Sequence, residues 1–364
     1  MVETADVLVV GAGVAGLGAA AHLAASARVI VLEAERAPCL HSTGRSAAVF
    51  IKSYGPPGVR AATAASEAFY ETPPDGFADA PLLTPRGLLY LDYVGGGLDA
   101  MLAATPGMKP VTVDEAVELA PILKRQPIVA AAHELDARDI DIDLLTGGFR
   151  RWMRDGGARI VTDAGVTALS RESGVWRAET PAGVFEAPIL INAAGAWASA
   201  VAAMAGASSI KIQPKRRSAA IVPAPAEYDV SDWPLCADAA EGWYARPTGG
   251  KLMVSPADAD PVEACDIWPD DMVLAEGIDR FQQAVTFEVT RVERTWAGLR
   301  SFSPDGEPVI GFDPGCEGFF WLAGQGGYGI QTAPAFSALT ADLVLDRAPA
   351  LGAAAALLSP DRFV

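Results

Sequence analysis

The sequence predicts an α/β fold in which a domain built on a parallel, doubly wound sheet is interleaved with a second domain of mixed or antiparallel sheet. Three observations lead there. The chain opens as strand, Gly-rich turn, helix and strand. Residues 73–127 and 211–289 break instead into short apolar runs punctuated by Pro and Gly, the pattern of a sheet. A Gly-rich turn at 324–329 and a closing helix over 332–345 then restore the first pattern. The division is discontinuous: residues 1–75, 143–210 and 290–364 form the first domain, and 76–142 and 211–289 the second.

In order, residues 6–10 are nearly all β-branched or apolar and read as a strand, 14–25 as an Ala-rich helix and 28–33 as a second strand. Residues 41–48 read as a loop entering a helix, and 58–70 as a helix. The run Gly87-Leu88-Leu89-Tyr90-Leu91 belongs to the sheet-rich part. Asp143 reads as the N-cap of a helix that sets Leu145, Phe149, Trp152 and Met153 on one face. Strands follow over 159–162, 175–180 and 184–187, the last two joined by a turn at Pro181-Ala182-Gly183. Residues 189–192 form a buried strand that runs into Ala193-Ala194-Gly195, and 211–289 read as antiparallel sheet.

With 51% hydrophobic and 20% charged residues, the 364-residue chain is globular in composition. A net charge of −17 argues against nucleic acid as a partner, because phosphate binding needs a basic face. Cys39, Cys236, Cys265 and Cys316 form no CxxC pair and no zinc spacing, which fits a reduced, cytoplasmic protein. The three histidines, His22, His41 and His133, sit in no hydrolase or metal motif. Residues 7–27 carry no charge, but the acidic MVETAD before them and the glycines within them argue against a signal peptide or transmembrane segment.

Those glycines have a spacing of their own. In VVGAGVAGLGAA, Gly11, Gly13 and Gly16 form GxGxxG between a strand and a helix, the Rossmann-type fingerprint for a dinucleotide. The first allows a tight turn, the second lets a pyrophosphate approach the backbone, and the third lets helix and strand pack closely. The helix N-terminus offers free N–H groups to the phosphates. Glu33 ends the second strand, twenty residues after Gly13, where its carboxylate can accept from ribose hydroxyls and disfavours a 2′-phosphate. The fingerprint alone leaves FAD and NAD open.

Further segments narrow the choice. HSTGRSAAVF begins at His41, INAAGAWA at Ile191, QPKRRSA at Gln213, SPADADPVEA at Ser255, TWAGLRSFSPDG at Thr295 and GQGGYGIQT at Gly324. In this order and at these separations they resemble the D-amino-acid-oxidase superfamily, most closely D-arginine dehydrogenases, over nearly the whole chain. The resemblance implies FAD, held without a covalent bond. It assigns to the cofactor Gly11, Gly13, Ala15, Gly16, Glu33 and Ala34, and the loop Ser42, Thr43, Gly44, Arg45, Ser46, Ala47 and Ala48. Val166, Ala194, Gly195 and Gly298 follow, then Gly326, Gly327, Tyr328, Gly329, Ile330 and Gln331. Arg45 would add a charge for the pyrophosphate. The helix after the Gly-rich turn would aim its positive end at the pyrimidine side of the flavin.

The resemblance also implies a reaction: a D-amino acid gives up a hydride to flavin N5, and the imino acid hydrolyses to a 2-oxo acid and ammonia. Arg300 and Arg217 match positions at the substrate carboxylate, for which a guanidinium is the fitting fork of donors. Tyr54 and Tyr244 match tyrosines that line the site, and Gly327 a carbonyl that accepts from the substrate nitrogen. Tyr54, Tyr244 and Arg300 are the catalytic candidates; with no protein base evident, the amine loses its proton to water. Val49 and Leu88 depart from D-arginine dehydrogenases, which carry a histidine and an acid there. A guanidinium facing Leu88 would be desolvated without a partner, so a neutral or apolar side chain is expected. Glycine, a secondary amine or a 2-hydroxy acid would suit the same carboxylate site, and a non-catalytic flavoprotein is a further reading. No motif fixes the electron acceptor.

Overall fold

A computed structural model describes residues 2–105 and 107–364. The opening unit forms as the sequence dictates. Strand Val7–Val10 is buried along its length, helix Val14–Leu23 follows the glycine turn, and strand Val29–Leu32 lies parallel to the first. Both strands are buried on two faces, which is why they read as unbroken apolar runs. They sit inside a six-stranded sheet ordered Arg159–Val161, Val29–Leu32, Val7–Val10, Ile189–Asn192, Phe319–Ala323, Val309–Phe312. Only the last pair is antiparallel.

One face of this sheet is covered by Val14–Leu23, Ile142–Asp155 and Ala333–Val344, which bury Leu17, Leu23, Phe149, Phe336 and Leu339 against Val7 and Val9. The other face packs Leu8, Leu190 and Trp321 against Trp176 and Phe185 of a four-stranded sheet. An eight-stranded sheet forms the other half of the molecule. Its order is Arg294–Phe302, Gln213–Pro223, Lys251–Ser255, Tyr244–Thr248, Leu235–Asp238, Leu88–Asp92, Ala130–Glu134, Met108–Val111.

Four expectations change. The helix expected to be capped by Asp143 begins at Ile142, and the cap is Asp141, whose carboxylate accepts from Leu144 N–H at 2.8 Å. Asp143 falls in the first turn, where its charge still suits the helix dipole. Residues 41–48 do not enter a helix: one 3₁₀ turn, Thr43–Arg45, gives way to extended backbone at Ser46, Ala48 takes φ +49, and the chain continues as strand Val49–Phe50. The region 211–289 is not all antiparallel sheet. Asp271–Ala284 is a helix capped by Asp270, its Leu274 and Phe281 buried, and Leu235–Asp238 pairs with Leu88–Asp92 in parallel. Finally, Arg294–Phe302 pairs along its length with Gln213–Pro223, so it shares the eight-stranded sheet although 290–364 was assigned to the other domain. Among the described residues no helix is long and apolar enough to cross a membrane; the uncharged stretch 7–27 is spent on a strand, a turn and a ten-residue helix.

Candidate active site

A continuous cavity of about 980 Å³ runs from the carboxyl ends of the parallel strands to the eight-stranded sheet. Ligand crevices form at that edge of open α/β sheets. Its volume is at the upper end of the range for small-molecule sites.

The end near Glu33 is mostly main chain. Gly11 has φ +103, and a Cβ there would lie 2.6 Å from the Ala193 carbonyl; a Cβ at Gly16 would overlap the Gly11 carbonyl. Those two positions therefore require glycine. The buried Glu33 carboxylate accepts from Ala12 N–H at 2.6 Å and Glu35 N–H at 2.9 Å, fixing the turn's height. Thr43 Oγ1 accepts from Val14 N–H at 3.0 Å. The N–H groups of Ala15 and Gly16 find no protein acceptor among the described residues, as the first turn of a helix leaves them. Ser42 Oγ ties the loop to the other half of the molecule by donating to Leu299 O at 2.6 Å.

Arg45, expected at the pyrophosphate, lines the cavity and also has protein partners. Its guanidinium donates to the carbonyls of Leu40, Ile267 and Ala297 and pairs with Asp266 at 2.5 Å. These bonds join loops. Cys39 also lines the cavity; burial pushes its thiol up to about 12, so it stays protonated and weakly nucleophilic.

At the other end stand side chains. The Arg300 guanidinium donates to Tyr54 Oη and lies 5.9 Å from the centre of the Tyr54 ring and 5.7 Å from that of Phe302. Burial works against its charge, but the surrounding Tyr54, Tyr244 and Tyr328 raise it above its ordinary value. Arg217 donates from Nε to Asp258 O at 2.7 Å and lies 5.8 Å from the centre of the Tyr244 ring. Among the described residues neither Arg300 nor Arg217 has a carboxylate partner. The adjacent Arg216, by contrast, pairs with Asp258 and Asp260. Two cavity-facing guanidiniums without an acid form a receptor for an anion. A Cβ on Gly327 would overlap the Arg300 guanidinium, so the Gly-rich turn makes room for it.

Beside these arginines the wall is apolar: Leu88, 1% exposed, packs with Ala137 and Leu235, and Val49, Ile51, Tyr90, Ala237 and Tyr244 close around them.

All six side chains expected at the substrate, Val49, Tyr54, Leu88, Arg217, Tyr244 and Arg300, line the cavity, as does Gly327. Of the positions expected at the cofactor, Gly16, Gly44 and Tyr328 do not. Gly16 packs helix on strand, Gly44 lets the loop turn under the Cys39 carbonyl, and Tyr328 stacks edge-on to Tyr54. The remaining cofactor positions are on the wall. Tyr90, Ser53, Leu235 and Glu241 also line it and were missed. Tyr90 was findable, since it lies two residues from Leu88 on one strand and so on the same face.

A sequence model of the DAO family, described as FAD dependent oxidoreductase, matches residues 6–343. The chain belongs to that family. It is an FAD-dependent oxidoreductase, and the turn, the Glu33 carboxylate and the length of the cavity fit the cofactor. Glycine oxidase of Geobacillus kaustophilus (strain HTA426) is 26% identical over 239 residues, 64% of this chain and 61% of that protein. FAD-dependent oxidoreductase domain-containing protein 1 of Xenopus laevis is 29% identical over 182 residues, 44% of this chain and 35% of that protein. The chain therefore spans less than two thirds of either relative. The crystal structure of the G. kaustophilus glycine oxidase superposes with a TM-score of 0.83 at 22% identity, covering 96% of both chains. L-Proline dehydrogenase from P. horikoshii gives 0.84 at 22% identity over 100% of this chain and 98% of that one. At these identities the likeness is one of fold. No cluster of His, Cys, Asp or Glu that could hold a metal occurs among the described residues.

Proposed function

We propose that this FAD-dependent oxidoreductase oxidises a D-amino acid with a neutral side chain to the imino acid, which water then hydrolyses to a 2-oxo acid and ammonia. The carrying observation is the pair of guanidiniums, Arg300 and Arg217, that face the cavity with no acid of their own. They would clamp the carboxylate, with Tyr54 and Tyr244 filling out its shell. Bound FAD supplies the acceptor for the hydride leaving the α-carbon. The chain's task is then orientation: the carboxylate held at one side, the nitrogen near the Gly327 backbone, and the side chain against Val49 and Leu88.

A second reading is a small or secondary amine, glycine included. The names of two relatives, glycine oxidase and L-proline dehydrogenase, favour it, and the same arginine pair would serve. One experiment separates the readings: anaerobic mixing with a panel of D- and L-amino acids, glycine, proline and 2-hydroxy acids, following loss of the oxidised-flavin absorbance. Fastest bleaching by a neutral D-amino acid supports the proposal. Fastest bleaching by glycine, proline or a hydroxy acid replaces it. No bleaching by any of them points to a non-catalytic flavoprotein.

A further inference from the structure

Glu134 is the antiparallel register partner of Leu88. Residues directly opposite in such a pair project from the same face. An acid thus stands on the cavity side of the sheet, one strand away from the aliphatic Leu88. Glu134 is only 2% exposed, and Ser53 is bonded to it. Ser53 Oγ donates to Glu134 Oε2 at 2.5 Å, and Ser53 N–H donates to Oε1 at 3.3 Å. Ser53 itself lines the cavity, together with Tyr90, whereas Glu134 does not. Burial holds the Tyr90 phenol above its ordinary value, the Glu134 carboxylate adds to that, and the Ser53 hydroxyl bonds to it.

A hydroxyl has one proton to donate and two lone pairs to accept with. With its proton committed to Glu134 and one lone pair taken by the protonated Tyr90 phenol, Ser53 offers the cavity a single lone pair. We propose that Ser53 forms a hydrogen-bond acceptor at the side-chain end of the substrate pocket, and that the preferred substrate carries a neutral donor there, as a carboxamide does. The inference rests on the amino-acid reading above and narrows its neutral class. Ser53 would touch the side chain; Glu134 acts through it as a positioning residue. A cationic end also donates, but Ser53 stands between it and the carboxylate. Val49, Leu88 and Leu235 would strip its water.

The test uses holoprotein and three unreactive carboxylates of similar length, with dissociation constants read from perturbation of the flavin absorbance. Succinamate ends in a carboxamide, 4-methylpentanoate in the isosteric aliphatic group, and 4-aminobutanoate in a cation. Succinamate should bind about fivefold or more tighter than 4-methylpentanoate, the worth of one net hydrogen bond. Ser53→Ala should bring that ratio to about one, Ser53→Thr should keep it, and Glu134→Gln should lower it by about threefold, because the acceptor loses its charged support. Any shift of Tyr54 in these variants weakens all three ligands alike and cancels in the ratio. Equal binding of succinamate and 4-methylpentanoate by the wild type, or tighter binding of 4-aminobutanoate, overturns this inference and leaves the carboxylate site standing. If none of the three perturbs the flavin, the amino-acid reading falls and this one with it.

Discussion

Near Glu33 the cavity wall is mostly main chain, drawn from short runs of neighbouring residues such as Gly13–Ala15, Arg45–Ala48 and Ala193–Trp197. Near Arg300 it is side chains drawn from Val49, Tyr54, Leu88, Arg217, Tyr244 and Arg300, which are scattered over the chain. The first end is shaped by the absence of side chains at Gly11 and Gly16, so a Cβ at either damages it. The second is shaped by what the side chains carry, so single replacements there should alter chemistry while the cofactor stays. Cofactor binding and substrate choice are therefore separable by mutation.

The largest expected effect tests the main-chain end. Gly11→Val should yield protein without flavin, because its Cβ meets the Ala193 carbonyl at a backbone angle that disfavours any side chain. Flavin-to-protein absorbance, with circular dichroism to verify the fold, is the measurement; a fully yellow variant would break the comparison. Next comes Arg300→Ala. Removing one member of a desolvated charge pair costs roughly 2–5 kcal/mol, so kcat/KM should fall at least about thirtyfold with flavin retained. Amino-acid amides should be poor substrates of the wild type for the same reason, and amides as good as free acids would remove the carboxylate role.

A subtler change sharpens the contrast inside the substrate end. Leu88→Glu should raise the ratio of kcat/KM for D-arginine over D-leucine by about ten- to a hundredfold, through a charge-assisted bond of roughly 1.5–3 kcal/mol. The variant will also lose stability, because the new carboxylate stands opposite Glu134 in register. The ratio, and not the absolute rate, is the readout; no change in it would show that residue 88 does not face the side chain. The smallest effect lies outside the cavity. Asp141→Ala removes a helix cap worth about 1 kcal/mol and should lower Tm by a few degrees, whereas Asp143→Ala should do less.

The same contrast governs what could be read from the sequence. Strands Val175–Thr180 and Ile189–Asn192 were readable to the residue, since turn formers flank them and their apolar pattern is local. Gly11, Gly13 and Glu33 were readable because a turn, a strand end and a spacing specify them together. The cap moved from Asp143 to Asp141 because two acids two residues apart look alike until the backbone at one of them is known to be extended. Helix Asp271–Ala284 was missed although Leu274, Ile278 and Phe281 carry a helical spacing; the sheet on both sides of it biased the reading. The protein partners of Arg45, Ile267, Ala297 and Asp266, could not be read, because they lie more than two hundred residues away. Ser53 and Glu134 have no motif at all: strand register sets Glu134 opposite Leu88, and a turn brings Ser53 onto its carboxylate.

The contact between Gly327 and Arg300 has a practical consequence for anyone re-engineering this protein. The turn that reaches the cofactor region and the arginine that faces the substrate are in direct contact, so a side chain at 327 must push the Arg300 guanidinium aside. A side chain introduced at 327 therefore also resets Arg300. Diversity placed at 49, 53, 88 and 235 samples new side-chain shapes while that interlock, and the alignment it enforces, is inherited unchanged.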